Sequence, residues 1–225
     1  MSANGNQTIQ VSRNGAPQTA LREALRALAA QCSDRDYEVR IAALETLSEC
    51  AIEIEDVVGR AMRDRNELVR ITAMEIAAEM ILIGLKDEVV RHLETDRSPL
   101  VRAYAAIALG EMKTANLRDI LEPRLRDRNE HVRAGIYYGL AKAGVHKYLK
   151  PFLNGLKSAN YRTRCFTANL LTSLAQNSDR ALIVRLLKEA LEREDTVAAR
   201  SSIESALGEL TPRRRAPANN HVLRP

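Results

Sequence analysis

One eight-residue phrase is written four times along this chain with little change. It reads Ser33-Asp34-Arg35-Asp36-Tyr37-Glu38-Val39-Arg40, then Arg63-Asp64-Arg65-Asn66-Glu67-Leu68-Val69-Arg70. It returns as Thr95-Asp96-Arg97-Ser98-Pro99-Leu100-Val101-Arg102 and as Arg126-Asp127-Arg128-Asn129-Glu130-His131-Val132-Arg133. Two divergent copies end in Arg164 and Arg200, and the six arginines stand 30, 32, 31, 31 and 36 residues apart. Self-similarity at this period marks stacked supersecondary units, each burying its apolar face on its neighbours.

Each phrase also holds a helix start. Four residues before the arginine stand Asp36, Asn66, Ser98, Asn129, Asn160 and Thr196. All are side chains that accept a hydrogen bond from the free amides of a helix's first turn. Pro99 follows Ser98 at the first helical position, where its missing N–H costs nothing. Beyond each cap, apolar residues recur one before the arginine and three and seven after it. Examples are Val69, Ala73 and Ala77, then Val101, Ala105 and Leu109, then Val132, Ile136 and Leu140. At about 100° per residue they form one buried stripe. The segments before the caps are amphipathic too, as in Val57, Val58, Ala61 and Met62. Six helix pairs are expected at about 19–50, 51–83, 84–113, 114–144, 145–175 and 176–210. Polar residues 1–18 are expected to form a flexible arm, and 211–225 a disordered basic tail.

The run Leu100-Val101-Arg102-Ala103-Tyr104-Ala105-Ala106-Ile107-Ala108-Leu109-Gly110 resembles a HEAT repeat of the short kind also found in phycobilin lyase subunits. The resemblance covers about 19–210 and includes an Asp-to-Arg spacing of six, seen in Asp34/Arg40, Asp64/Arg70, Asp96/Arg102 and Asp127/Arg133. It implies an all-α, right-handed solenoid with first helices on the convex face and second helices on the concave one. It also implies a structural ladder in which each turn aspartate bonds arginines of its own and the adjacent repeat. Ser158/Arg164 and Glu194/Arg200 depart from the pattern at the acidic position.

Two, five and nine residues after each arginine the side chains fall opposite the stripe and are expected to face the groove. They include Glu45, Glu49, Glu75 and Glu79 in the first two units, then Tyr104, Ile107, Glu111, Tyr138, Lys142, Phe166 and Asn169. Carboxylates leading into aromatics have the composition of a protein-binding hot spot. The expected function is therefore a non-enzymatic protein-binding module, an adaptor or an inhibitor such as a toxin-neutralising immunity protein. Its partner would be another protein with a basic segment, and a monomer suffices. A lyase-type or chaperone-like subunit acting on a chromophore-bearing client is an alternative that rests on the repeat subtype. A nucleic-acid binder using the turn arginines Arg35, Arg65, Arg97 and Arg128 is another.

Composition narrows the rest. Aromatics are 4% and Trp is absent, so the core is built from Leu, Ile, Val and Ala. The net charge is +5, but residues 211–225 carry four arginines and no acid, and residues 1–18 carry Arg13 alone. The body from 19 to 210 is neutral, which does not suit a globally basic domain. Cys32, Cys50 and Cys165 lack metal-ligand or redox spacing and are expected to be buried free thiols of a cytoplasmic protein. Neither an HExxH helix, a Gly-rich phosphate loop nor a GxSxG elbow occurs, so no metal, cofactor or catalytic residue is expected.

Overall fold

The computed structural model describes residues 15–50, 54–175 and 180–211, with side chains from Glu23 onward. Among the described residues there are twelve α-helices and no strand. They are α1 (Gly15–Gln31), α2 (Tyr37–Glu49), α3 (Glu55–Ala61), α4 (Glu67–Glu79), α5 (Lys86–Thr95) and α6 (Pro99–Glu111). Then come α7 (Leu117–Leu121), α8 (Glu130–Lys142), α9 (Leu149–Leu153), α10 (Tyr161–Leu174), α11 (Arg180–Arg193) and α12 (Val197–Leu210). Helix α1 starts at Gly15, inside the segment expected to be an arm. Residues 1–14 and the tail beyond Thr211 lie outside the described residues.

Successive even-numbered helices pack on one another and form one layer of the stack. The odd-numbered helices form the other layer, each lying against the even-numbered helix that follows it, except that α9 rests on α8 and the 3-10 turn at Asn154–Lys157 meets α10. The repeated pattern explains this arrangement. Ala73, Val101, Ala105, Leu109, Val132, Ile136, Leu140, Thr167 and Leu171 are all fully buried. Val39 and Leu207 occupy the same stripe but keep water contact, because α2 and α12 lack a described neighbour on one side. The outer helices of the fourth and fifth pairs are short, and 3-10 turns at Glu122–Arg126 and Asn154–Lys157 complete them. Pro123 and Pro151 stand in these segments, each lacking an amide for a regular helical ladder.

All six cap residues are in extended conformation, and five accept a first-turn amide. Thr196 does not, since its hydroxyl accepts from Arg164 instead. The ladder differs from expectation in one respect. Each aspartate carboxylate takes the arginine of the preceding repeat only. Arg40 grips Asp64 with Nε and Nη2 at 2.8 Å each, and Arg70 grips Asp96 at 2.9 and 2.8 Å. Arg102 grips Asp127 at 3.0 and 3.2 Å. The arginine of the same repeat turns Nη1 to the aspartate's backbone carbonyl, as Arg70 does to Asp64 at 2.9 Å. Asp34 therefore has no arginine on its carboxylate and caps the Asp36 amide alone. The divergent end is largely intact, because Glu194 replaces aspartate and holds Arg164 at 2.6 and 2.7 Å.

Candidate functional site

The inner face of the even-numbered helices carries a hollow of about 410 Å³ lined by residues of α4, α6, α8 and α10. Its acidic approach comes from the first two repeats. Glu45 and Glu49 of α2 and Glu75 and Glu79 of α4 are all exposed. Among the described residues none of the four makes an ion pair, whereas Asp64, Glu88, Asp96, Glu111, Asp127 and Glu194 do. Glu75 stands beside Tyr104 inside the concavity. Loss of surrounding water raises its carboxyl above the ordinary value, and the charges of Glu45 and Glu79 add to the effect. Burial, with the charge of Glu75, pushes the Tyr104 phenol up to about 12.

Tyr104 and Phe166 meet edge to face, with ring centroids 6.0 Å apart. They belong to α6 and α10, so the two helices touch across α8. Gly135 lets α8 itself lie close against α6: a side chain there would collide with the backbone of Ala103. A second bridge lies deeper. Tyr138 donates to Glu111 and lies 3.1 Å from Ser173 Oγ, and Lys142 pairs with Glu111 at 3.1 Å. Burial and the Glu111 carboxylate hold the Tyr138 phenol protonated far above its ordinary range.

Three groove expectations change accordingly. Tyr138 is 1% exposed, its ring packed on Phe152, so it ties α8 to its neighbours and presents no ring to a partner. Lys142 is held by Glu111 and Ser173 and does not stand free in the groove. Ile107 is likewise buried. Asn169 is exposed, as expected. The sequence reading missed Ile81, which is 57% exposed and lines the hollow beside Glu79. Its backbone is left-handed at φ 54°, strained for a β-branched residue. Ile81 ends α4 as Gly144 ends α8: in both, the next amide reaches back to close the helix, Leu82 to Ala77 and Val145 to Leu140, each at 2.9 Å. An isoleucine at a glycine-favouring position was the signal available.

The turn arginines lie along a different edge. Arg35, Arg65, Arg97 and Arg128 are exposed, and the first three are stitched together: Arg65 donates to the Arg35 carbonyl at 3.1 Å and Arg97 to the Arg65 carbonyl at 3.3 Å. Arg63 pairs with Glu88 at 2.9 Å. Of the histidines, His92 is buried in the ladder, 2.9 Å from Asp96. His131 packs on Phe166, and burial lowers its pKa. Among the described residues no group of His, Cys, Asp or Glu is arranged to hold a metal. The three cysteines are free but not buried: Cys50 is exposed and the other two are half-buried. No described helix is long and apolar enough to cross a membrane.

Comparison with known proteins bears on the repeats. No curated protein matches the chain. Among solved structures, a chain of the complex of CpcE and CpcF of phycocyanin lyase from Nostoc sp. PCC7120 aligns at 13% identity and a TM-score of 0.42, covering 94% of this chain and 98% of that one. An engineered protein from a structural genomics consortium aligns at 17% identity and a TM-score of 0.40, covering 83% and 98%. Residues 86–164 match the family of HEAT repeats. The units over 86–164, which hold Tyr104 and Tyr138, are HEAT repeats within an all-α solenoid.

Proposed function

We propose that the chain is a non-enzymatic binding module whose inner groove takes a basic segment of a partner protein. The observation that carries this reading is the row of Glu45, Glu49, Glu75 and Glu79. They are exposed and without ion pairs among the described residues, and Glu75 and Glu79 line a hollow rimmed by Tyr104 and Ile81. Like charges on adjacent helices repel one another, and those of Glu45 and Glu79 add to the loss of water in raising Glu75. A cationic partner removes that repulsion on docking. The carboxylates steer encounter, and the half-buried Tyr104 and Phe166 with exposed Ile81 supply contact area. Such a module serves as an adaptor or as an inhibitor.

The test is capture of partners from the native host, followed by kinetics with a variant carrying lysine at positions 45, 49, 75 and 79. The association rate should fall on the order of 10- to 100-fold at low salt, with the difference shrinking as salt rises. An unchanged association rate with the captured partner sinks the reading. A second reading, a nucleic acid along the turn arginines, is favoured by the regular stitching of Arg35, Arg65 and Arg97. It demands a gel shift that weakens steeply with salt.

A further inference from the structure

One rung of the arginine ladder is made differently, and it lies where the inner layer packs most lightly. Arg40, Arg70, Arg102 and Arg164 each turn Nε and Nη2 onto a carboxylate 24, 26, 25 and 30 residues further on. Arg133 is the fifth of this series. Its Nη1 bonds the carbonyls of Asp127 and Arg128 at 2.8 and 3.0 Å, as its counterparts do, so the guanidinium is held in the same pose. Twenty-five residues on, however, stands Ser158. The Ser158 hydroxyl oxygen accepts the Asn160 amide at 3.0 Å, just as each ladder acid caps the amide two residues on. The side chain thus points along the carboxylate's path and ends short of Arg133.

Among the described residues, no acceptor meets Nε or Nη2 of Arg133. Nearby acids are engaged elsewhere: Asp127 holds Arg102, and Glu130 accepts from Thr163 at 3.1 Å. Arg126, Arg128 and Lys157 are exposed in the same two turns and add positive charge. A half-buried guanidinium with two unmatched donors is an anion site by chemistry, and its fork suits two oxygens.

We infer that Arg133 and Ser158 form a binding site for a small oxyanion, a carboxylate or a phosphate. Two of its oxygens accept from Nε and Nη2 of Arg133, and the Ser158 hydroxyl donates a hydrogen bond to the bound anion. The position gives the site a consequence. The buried residues of the molecule fall into two clusters, one running from Leu44 to Leu140 and the other from Ile107 to Leu210, and they abut at α8. The inner-layer contact between α8 and α10 is the lightest in the stack. An anion on Arg133 supplies from solution the rung that clamps this seam. The inference is independent of the groove reading, since the two sites share no residue.

Thermal unfolding of the full chain tests it, with sodium chloride replaced at constant ionic strength by phosphate or by acetate. Wild type should melt a few degrees higher along a saturating curve in at least one anion. Ser158→Asp, which completes the rung from within, should melt higher than wild type in chloride and lose the saturating response. Arg133→Met should lose the response without that gain. A response to acetate alone assigns the site to a carboxylate such as a partner's side chain, and a response to phosphate alone assigns it to a tetrahedral anion. The inference is overturned if neither anion gives a saturating response in wild type, or if all three proteins respond alike.

Discussion

Ile81 holds a position that most sequences give to glycine. A left-handed β-branched residue costs on the order of 1–2 kcal/mol, and this one also exposes its side chain at the groove rim. Ile81→Gly should therefore raise stability by about that amount while weakening partner binding, two readouts that a purely structural role would move together. Charged residues make the complementary case through pH. Hydrogen bonds from Arg164 hold Glu194 at about 2, below its ordinary value of 4.5. The unfolded chain binds the proton first, so the Glu194 contribution is complete above about 4.5 and is lost as pH falls toward about 2. Glu75 runs the other way. Its raised folded value makes ionisation unfavourable to folding as pH climbs past the ordinary 4.5. Glu75→Gln should melt higher than wild type at neutral pH and equal it under acid, whereas Glu194→Gln should be destabilised at neutral pH with a flattened acid limb. Thermal melts across pH 2–7 check both.

At the scale of elements, α6 and α8 form the tightest pair. A side chain at Gly139 would meet the carbonyl oxygen of Ala106, and one at Gly110 would meet the backbone of Gly139. Backbone atoms cannot yield as a flexible side chain does. Gly139→Ala should thus cost about 1–3 kcal/mol or more, measured by chemical denaturation. It should also push α8 away from α6, disturbing the bridge from Tyr138 to Glu111 and the hollow above it. The shape of the groove depends on these glycines as much as on the residues that line it.

Across the whole molecule, stability in a stack of this kind is a sum of units and the interfaces between neighbours. The seam at α8 divides the core, and the rung that spans it lacks its acid. Native-state hydrogen exchange should therefore show α10–α12 opening as a unit at lower free energy than α4–α8. Ser158→Asp should bring the two regions closer together. Uniform protection across both regions would show that the seam has no energetic weight.

The arginine phrase, its caps and the stripe behind them were legible in the chain because they depend on neighbours a few residues apart, and helical geometry is local. That is why the all-α stack and five of the six side-chain caps could be read from spacing, whereas the ladder came from the resemblance and held only between adjacent repeats. The groove was only partly legible. Helical phase places Tyr104, Tyr138 and Phe166 on one face, but it cannot tell which ring a neighbouring helix will cover. Glycine contacts bring α8 close against α6, and Phe152 covers Tyr138, while the acids of α2 and α4 stay in water. Direction along a helix is a property of the segment, whereas exposure depends on how close the next segment comes, and that distance was set by packing among helices far apart in the chain.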